Sequence, residues 1–335
     1  MNDKAIAKEY EMKGKKTWKD YFLSSGLPLE QSVTKTLELL GIEGLTEFKY
    51  ERNNEAGIPT VFSVDVYGSQ IYHDVLKQQL WLDIMCECKY RHDNVRWIFT
   101  PHDFGRWPLA SANNMLVHLD QMTGPKVINT SQYSRLAEKF KLCKKGIEIY
   151  ENDINNKTIE QSLNQLRYGV INKVLDSLLH QVDKLLGPIS PMFVILPIIV
   201  TTAELWRINN DVTIEDIREV EEIEKVGEKL NSLIIYEPPD NLYTRYSIEL
   251  FDRELTERQK MKIDKRLEKI ENHGYELFKN VISSQQPSFF FVINYEHFPE
   301  IMRKLLAFFG EAKLMKKREK PKSIEEILKE IKLPE

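Results

Sequence analysis

Apolar positions recur along this chain with two periods, and the switching between them sketches its elements. In LPLEQSVTKTLELLGI, Leu29, Val33, Leu37 and Leu40 fall at helical spacing and Gly41 supplies a stop, which predicts a helix over 27–40. LTEFKYERN sets Leu45, Glu47, Lys49 and Glu51 against Thr46, Phe48 and Tyr50, the period of a half-exposed strand. NNEAGIP then reads as a hairpin connection. TVFSVDVYG reads as a second strand, with Phe62, Val64 and Val66 on one face and Ser63 and Asp65 on the other. QLWLDIMCECK, residues 79–89, is apolar enough for a third strand in the core.

Downstream, RWIFTPHDFGRWPL predicts a loop with a short strand, and mixed material runs to about residue 156. IEQSLNQLRYGVINKVLDSLLHQVDKLLG is an amphipathic helix ending at Gly187. FVILPIIVTTAELWRI predicts a buried strand with a turn or an extension, and an acidic helix is expected over 214–230. SLIIYE predicts a strand, residues 254–282 a highly charged helix, SFFFVIN a further strand and FPEIMRKLLAFFG a further helix. No internal repeat is present. The order of helix, three strands, long helix, strand, helix and strand fits an α/β or α+β fold with a mixed sheet, of which α/β, with a central mixed sheet flanked by helices, is the one expected. The expected organisation is an arm at 1–19 and a main domain at 20–240 with an insertion at about 100–156. A C-terminal α/β extension at 241–310 and a charged tail at 311–335 complete it.

Composition narrows the class. The 335 residues can bury a sizeable core, and a net charge of −4 means that nucleic-acid affinity must come from a local basic surface. MNDKAIAKEYEMKGKK has no apolar leader, and the longest apolar run, MFVILPIIV, falls far short of the ~20 residues of a membrane helix. Cys86, Cys88 and Cys143 form neither a disulfide framework nor a zinc pattern. A reduced, cytoplasmic setting without membrane attachment is expected. GKKT at 14–17 imitates the end of a phosphate-binding loop, but Glu9 stands where its first glycine is required.

The chemistry concentrates in the third strand. Glu87 and Lys89 sit among Leu80, Leu82, Ile84, Met85, Cys86 and Cys88, and burying two charges needs a reason. Period two sends Glu87 and Lys89 to one face and both cysteines to the other. Asp65 closes the preceding apolar strand, so pairing of the two strands would aim Asp65 and Glu87 at one spot. Carboxylates that close repel each other unless a cation lies between them, and Mg²⁺ is the hard ion that suits oxygen donors. Glu30, near the start of the first helix, could add a third carboxylate. Such a set fits a metal-dependent phosphodiesterase in which Lys89 serves the attacking water. A partly buried Glu87–Lys89 ion pair, with Asp65 as a turn residue, is the plainer reading of the same spacing. Asp83 shares the face of Glu87 by strict alternation, as a substitute ligand or a strand-entry charge.

PLEQSV, SVDVYG and CECKYR, in that order, resemble the motifs of the PD-(D/E)XK nuclease superfamily, most of all Mrr-type restriction endonucleases. The resemblance implies a restriction-endonuclease-like core. It implies catalytic and metal-binding roles for Asp65 and Glu87, service of the nucleophilic water by Lys89, and completion of the metal shell by Glu30. Gln165 in NQLRYG resembles a glutamine that some members carry after the catalytic strand, and Tyr168 follows one turn later. Thr201 and Thr202 would then end a strand close to the site. The implied activity is Mg²⁺-dependent hydrolysis of phosphodiester bonds, with Mn²⁺ as substitute. The implied substrate is DNA in preference to RNA, and the implied role restriction, defence or repair. Cutting both strands of a duplex would call for a homodimer. Arg91, Arg96 and Arg106, with Trp97 and Trp107, lie just beyond the strand, either to grip phosphates and stack on bases or as a packed loop on the sheet edge. The motifs match over about 27–91 and more loosely over 157–237. About sixty-five residues separate the catalytic strand from the long helix, more than in compact members, and 240–310 matches nothing. A catalytically silent nuclease fold that binds nucleic acid or a protein partner is the rival reading.

Overall fold

The computed structural model describes residues 17–54, 56–73, 79–102, 117–119, 139–150, 153–155, 157–184, 191–271 and 274–311. Most of the N-terminal arm, much of the expected insertion with Arg106 and Trp107, and nearly all of the charged tail lie outside the described residues.

Helices Trp18–Ser24 (α1) and Leu27–Leu39 (α2) open the described chain. Gly26 enters α2 at φ 84° and Leu29, Val33 and Leu37 form its buried stripe, as their spacing predicts. Glu43–Asn53 (β1), Pro59–His73 (β2) and Gln79–Lys89 (β3) follow as an antiparallel meander. β2 runs well past Gly68, where the alternating pattern stops. Gly68 is there for space: a Cβ would stand 2.7 Å from Ile42 Cγ2.

Arg96–Pro101 (β4), Val117–Leu119 (β5), Lys141–Tyr150 (β6) and Asp153–Asn155 (β7) precede the long helix Lys157–Lys184 (α3). Met192–Thr201 (β8) is buried at every position, and the chain breaks at Thr202 and Ala203 before Glu204–Ile208 (β9). The acidic helix expected over 214–230 is only Ile214–Glu219 (α4), held by a Thr213–Asp216 capping box. Val220 is extended, and a single 3₁₀ turn leads to the strand Gly227–Leu230 (β10). A Cβ at Gly227 would stand 2.9 Å from the Arg207 carbonyl oxygen, so a strand edge, not a helix, uses this position. Ser232–Tyr236 (β11) is as predicted.

The single charged helix expected over 254–282 is instead parts of three: Asn241–Glu254 (α5), Glu257–Glu271 (α6) and Tyr275–Gln285 (α7). Leu255 leaves helical geometry to bury its side chain, and Thr256 and Gln259 cap the next helix. Phe289–Asn294 (β12) and Phe298–Glu311 (α8) complete the described chain.

Among the described residues twelve strands form one mixed sheet in the order β1-β2-β3-β8-β12-β11-β6-β4-β9-β10, with β5 against β8 and β7 against β6. β3, β8 and β12 run parallel, and β3 pairs with β8 from Leu80↔Met192 to Lys89↔Thr201. The protein is thus α/β with a large mixed sheet flanked by helices. β12, from the expected C-terminal extension, lies within this sheet between β8 and β11. β6, from the expected insertion, lies between β11 and β4. None of the described helices is long and apolar enough to cross a membrane.

Two apolar cores cover the sheet. One holds α3 with α5–α7 against Val64, Met85 and Ile199; the other holds α2 and α8 against Val66, Cys86 and Ile198. α3 lies close on the sheet because of Gly169, whose Cβ would stand 2.6 Å from Val64 Cγ2 and 3.3 Å from Met85 Cε. Gly169→Ala should therefore destabilise the fold by about 1–3 kcal/mol, despite alanine's better helix propensity. Urea unfolding checks this; a variant as stable as the parent would show that the helix can lift without cost.

Candidate active site

The site begins with a fault in a strand ladder. β1 pairs Thr46 with Tyr67 but Phe48 with Val64, so β2 carries one residue more than its partner. That extra residue is a β-bulge at Asp65 and Val66. It overturns the expected facing: Phe62 and Val64 pack on the α3 side, while Val66 crosses to the other core. The β2–β3 ladder ends at Val66↔Cys86. Beyond it the Asp65 carboxylate does the work of a strand carbonyl, accepting the Cys88 N–H through Oδ2 at 2.7 Å.

Glu87 lies one peptide away and is fully buried. Its Oε1 accepts from Lys89 Nζ at 2.5 Å, and its buried Oε2 has no hydrogen-bond partner among the described residues. Lys89 Nζ also donates to Gln165 Oε1 on α3 at 3.3 Å. Tyr50 on β1 fixes that helix turn by donating to the Gln165 carbonyl at 3.1 Å. Cys86 and Cys88 pack on the opposite face, as alternation requires. Asp65, Glu87, Lys89 and Gln165 are thus brought together. Thr201 closes the floor, its hydroxyl donating to the Lys89 carbonyl at 2.9 Å.

The electrostatics follow from this crowding. Burial, then the Asp65 charge, pushes the Glu87 carboxyl up to about 8, with Lys89 pulling the other way. Burial also raises Asp65, opposed by the Cys88 N–H and by Lys89. Glu30, on α2 and half-buried, is raised by burial and then by Asp65 and Glu47. Glu30 feels the pair but does not close on it: among the described residues no three His, Cys, Asp or Glu side chains gather tightly enough to hold a metal ion. The donors that do fit a hard cation are Asp65 and Glu87, whose partnerless Oε2 is a buried acceptor in want of a positive partner.

The other expected residues divide. Arg91 is spent inside the protein, donating from Nε to Glu148 Oε2 at 2.5 Å, from Nη1 to the Tyr90 carbonyl and from Nη2 to Thr158. Glu148 also accepts from Trp97 Nε1 at 2.8 Å and from Asn155 and Thr158. Thr202 ties down the Arg91 backbone at both N–H and carbonyl. Arg96 is exposed, 3.4 Å from Glu204, and Arg106 lies outside the described residues. Tyr168 packs in a cluster with Arg52, Tyr243 and Tyr246. Asp83 forms its own group further down β3, accepting from Tyr67 at 2.8 Å and Ser69 at 2.5 Å, with Lys173 Nζ at 3.8 Å. Sequence reasoning missed Tyr50, Arg52, Glu47 and Glu148. Tyr50 reads as an ordinary strand aromatic, and the acceptor role of Glu148 depends on partners from four separate segments.

Compared with protein-family models, with curated proteins and with solved structures, the chain gives no match.

Between the ordinary value of 4.5 and about 8, the folded chain keeps a proton on Glu87 that the unfolded chain has released. Stability should fall as pH rises through that window. Glu87→Gln should remove the fall, leaving the variant more stable than the parent at pH 8 by on the order of 3 kcal/mol and no more stable at pH 4. Urea titrations at both values test this, and parallel stability curves would count against it. Glu148→Ala strands Arg91 and Trp97 and should cost about 3–5 kcal/mol by the same measurement.

Proposed function

We propose that the chain is a divalent-cation-dependent nuclease that hydrolyses phosphodiester bonds. The observation that carries this reading is the meeting of two carboxylates, the partly buried Asp65 and the fully buried Glu87, around one peptide beside the Lys89 amine. Glu87 Oε2 accepts no hydrogen bond among the described residues, which leaves it open to a cation.

Asp65 and Glu87 would hold the metal, Mg²⁺ or its substitute Mn²⁺, with Glu30 placed to reach it through water. Bound there, the ion would supply an acidified water and positive charge facing the phosphate. Lys89, held between Glu87 and Gln165, directs its one remaining N–H at the attacking water, and its charge faces the phosphate. That water adds to phosphorus and loses a proton to solvent as the bond to the leaving ester oxygen breaks, and that oxygen takes up a proton from solvent. Gln165 keeps the amine aimed, and Tyr50 keeps Gln165 in place.

The same reading takes the fold to be restriction-endonuclease-like, with β1–β3, the crossover α3 and the parallel β8 as its core. It extends to DNA in preference to RNA, to a cytoplasmic role in restriction, defence or repair, and to a dimer where both strands of a duplex are cut. The second reading, a silent module of this fold that binds nucleic acid or a protein, draws on the lack of a three-donor cluster among the described residues.

Glu87→Ala and Lys89→Met should each lower cleavage of a plasmid or oligonucleotide panel by more than about 100-fold, while folding and nucleic-acid affinity persist. Cleavage by purified Glu87→Ala at the parental rate would end the nuclease reading. Calorimetric titration with Mg²⁺ or Mn²⁺ separates the two readings: the nuclease requires heat that Asp65→Asn removes, the silent module none.

A further inference from the structure

β1 and β2 continue as a two-stranded hairpin beyond the last β2–β3 pair, through Tyr50↔Phe62 to Asn53↔Pro59. On the face of that hairpin turned to α3 lies an open cavity of about 580 Å³. Arg52, Asn54, Phe62, Asn164, Tyr168 and Asp240 line it. Asn164 and Tyr168 flank Gln165 on the same helix, so the cavity opens within a helical turn of the residue that holds Lys89.

Its wall is rich in donors and already arranged. The Arg52 guanidinium carbon lies 4.2 Å from the Phe62 ring centroid and 4.3 Å from that of Tyr168, which fixes the plane of the fork. Arg52 has no carboxylate partner among the described residues, and its buried Nε has no hydrogen bond. Arg91, Arg96, Arg167 and Arg207 all have carboxylates within ion-pair distance. Asn54 spends its Oδ1 on the turn amides of Ala56 and Ile58, at 2.9 and 3.0 Å, which leaves its NH₂ as donor. Asp240 is the one acid in the lining, and its carboxylate is committed to capping α5 through the Tyr243 N–H at 2.7 Å. A ring-stacked guanidinium without an anion, beside a free amide donor, is the arrangement that grips a tetrahedral oxyanion two-handed.

We infer that this cavity binds a phosphate of the nucleic-acid strand whose neighbouring ester is presented to Glu87 and Lys89. The inference rests on the nuclease reading and adds to it a strand-gripping site outside the catalytic group. Arg52 holds the substrate backbone on the hairpin side, so the strand crosses α3 between Asn164 and Tyr168 on its way to the site. The grip is on the phosphate and carries no base preference.

The test is fluorescence anisotropy of a labelled oligonucleotide, single-stranded and duplex, in EDTA across a salt series, with the parent, Arg52→Met and Arg52→Lys. Steady-state cleavage is run beside it with Mg²⁺. The expected result is affinity weakened about 10-fold or more in Arg52→Met, with a salt slope smaller by about 0.7–0.9, and a raised KM at little-changed kcat. Arg52→Lys should keep the slope but lose part of the affinity, and both variants should melt as the parent does. Variants that bind and cleave as the parent does overturn the inference and leave the nuclease reading standing. A parent that binds neither oligonucleotide overturns the inference, and if it also fails to cleave, the nuclease reading falls with it. Oligonucleotides with a 5′-phosphate or a 5′-hydroxyl tell a backbone phosphate from a terminal one: equal dependence on Arg52 supports the backbone, dependence confined to the phosphorylated end overturns it.

Discussion

The end of the β2–β3 ladder at Val66 and Cys86 is the constraint on which the site depends. Two strands that separate leave a row of amides and carbonyls without partners, and buried groups of that kind must be satisfied. Here a side chain supplies one of the missing acceptors: the Asp65 carboxylate takes the Cys88 N–H. The bulge makes this feasible by shifting Asp65 out of the regular alternation while Val64 and Val66 stay in their separate cores. The same peptide carries Glu87, so satisfying the backbone brings two acids close together. Fold and electrostatic strain share one origin.

That strain is balanced from one side of the sheet. α3 answers charged positions on and just beyond β3 in turn: Lys173 stands opposite Asp83, Gln165 opposite Lys89, and Thr158 beside Arg91. Asp83 and Arg91 have their charges matched within the protein, by Lys173 and by Glu148. Between them, Glu87 has Lys89 on one oxygen, and its other oxygen, like Asp83 Oδ2, accepts no hydrogen bond among the described residues. What sets Glu87 apart from the equally buried Asp83 is the Asp65 carboxylate, which holds the N–H of the next residue.

Much of this was legible in the chain. Charges in the apolar stretch 79–89 announced Asp83, Glu87 and Lys89, and strict alternation sent Cys86 and Cys88 to the other side. The α/β class followed from a meander, a long amphipathic helix and the apolar run at 192–200. What stayed hidden was set by tertiary space. SVDVYG reads as unbroken alternation, and only the slip against β1 reveals the bulge. Gly68 looks like a strand end but makes room for Ile42. TERQ spells the capping box at Thr256, a signal outweighed by charged periodicity on both sides of it. Arg52 sits at the polar end of a strand, and its worth depends on rings from two other elements.

The way α3 meets β3 carries a further consequence. A helix that must match a strand at residues 158, 165, 169 and 173 is a ruler with fixed graduations. Each residue added or removed turns everything beyond it by about 100°. Between its first and last contacts, α3 can exchange side chains but cannot change length: a single insertion there would swing Gln165 away from the amine, or Lys173 away from Asp83, while leaving every individual residue intact.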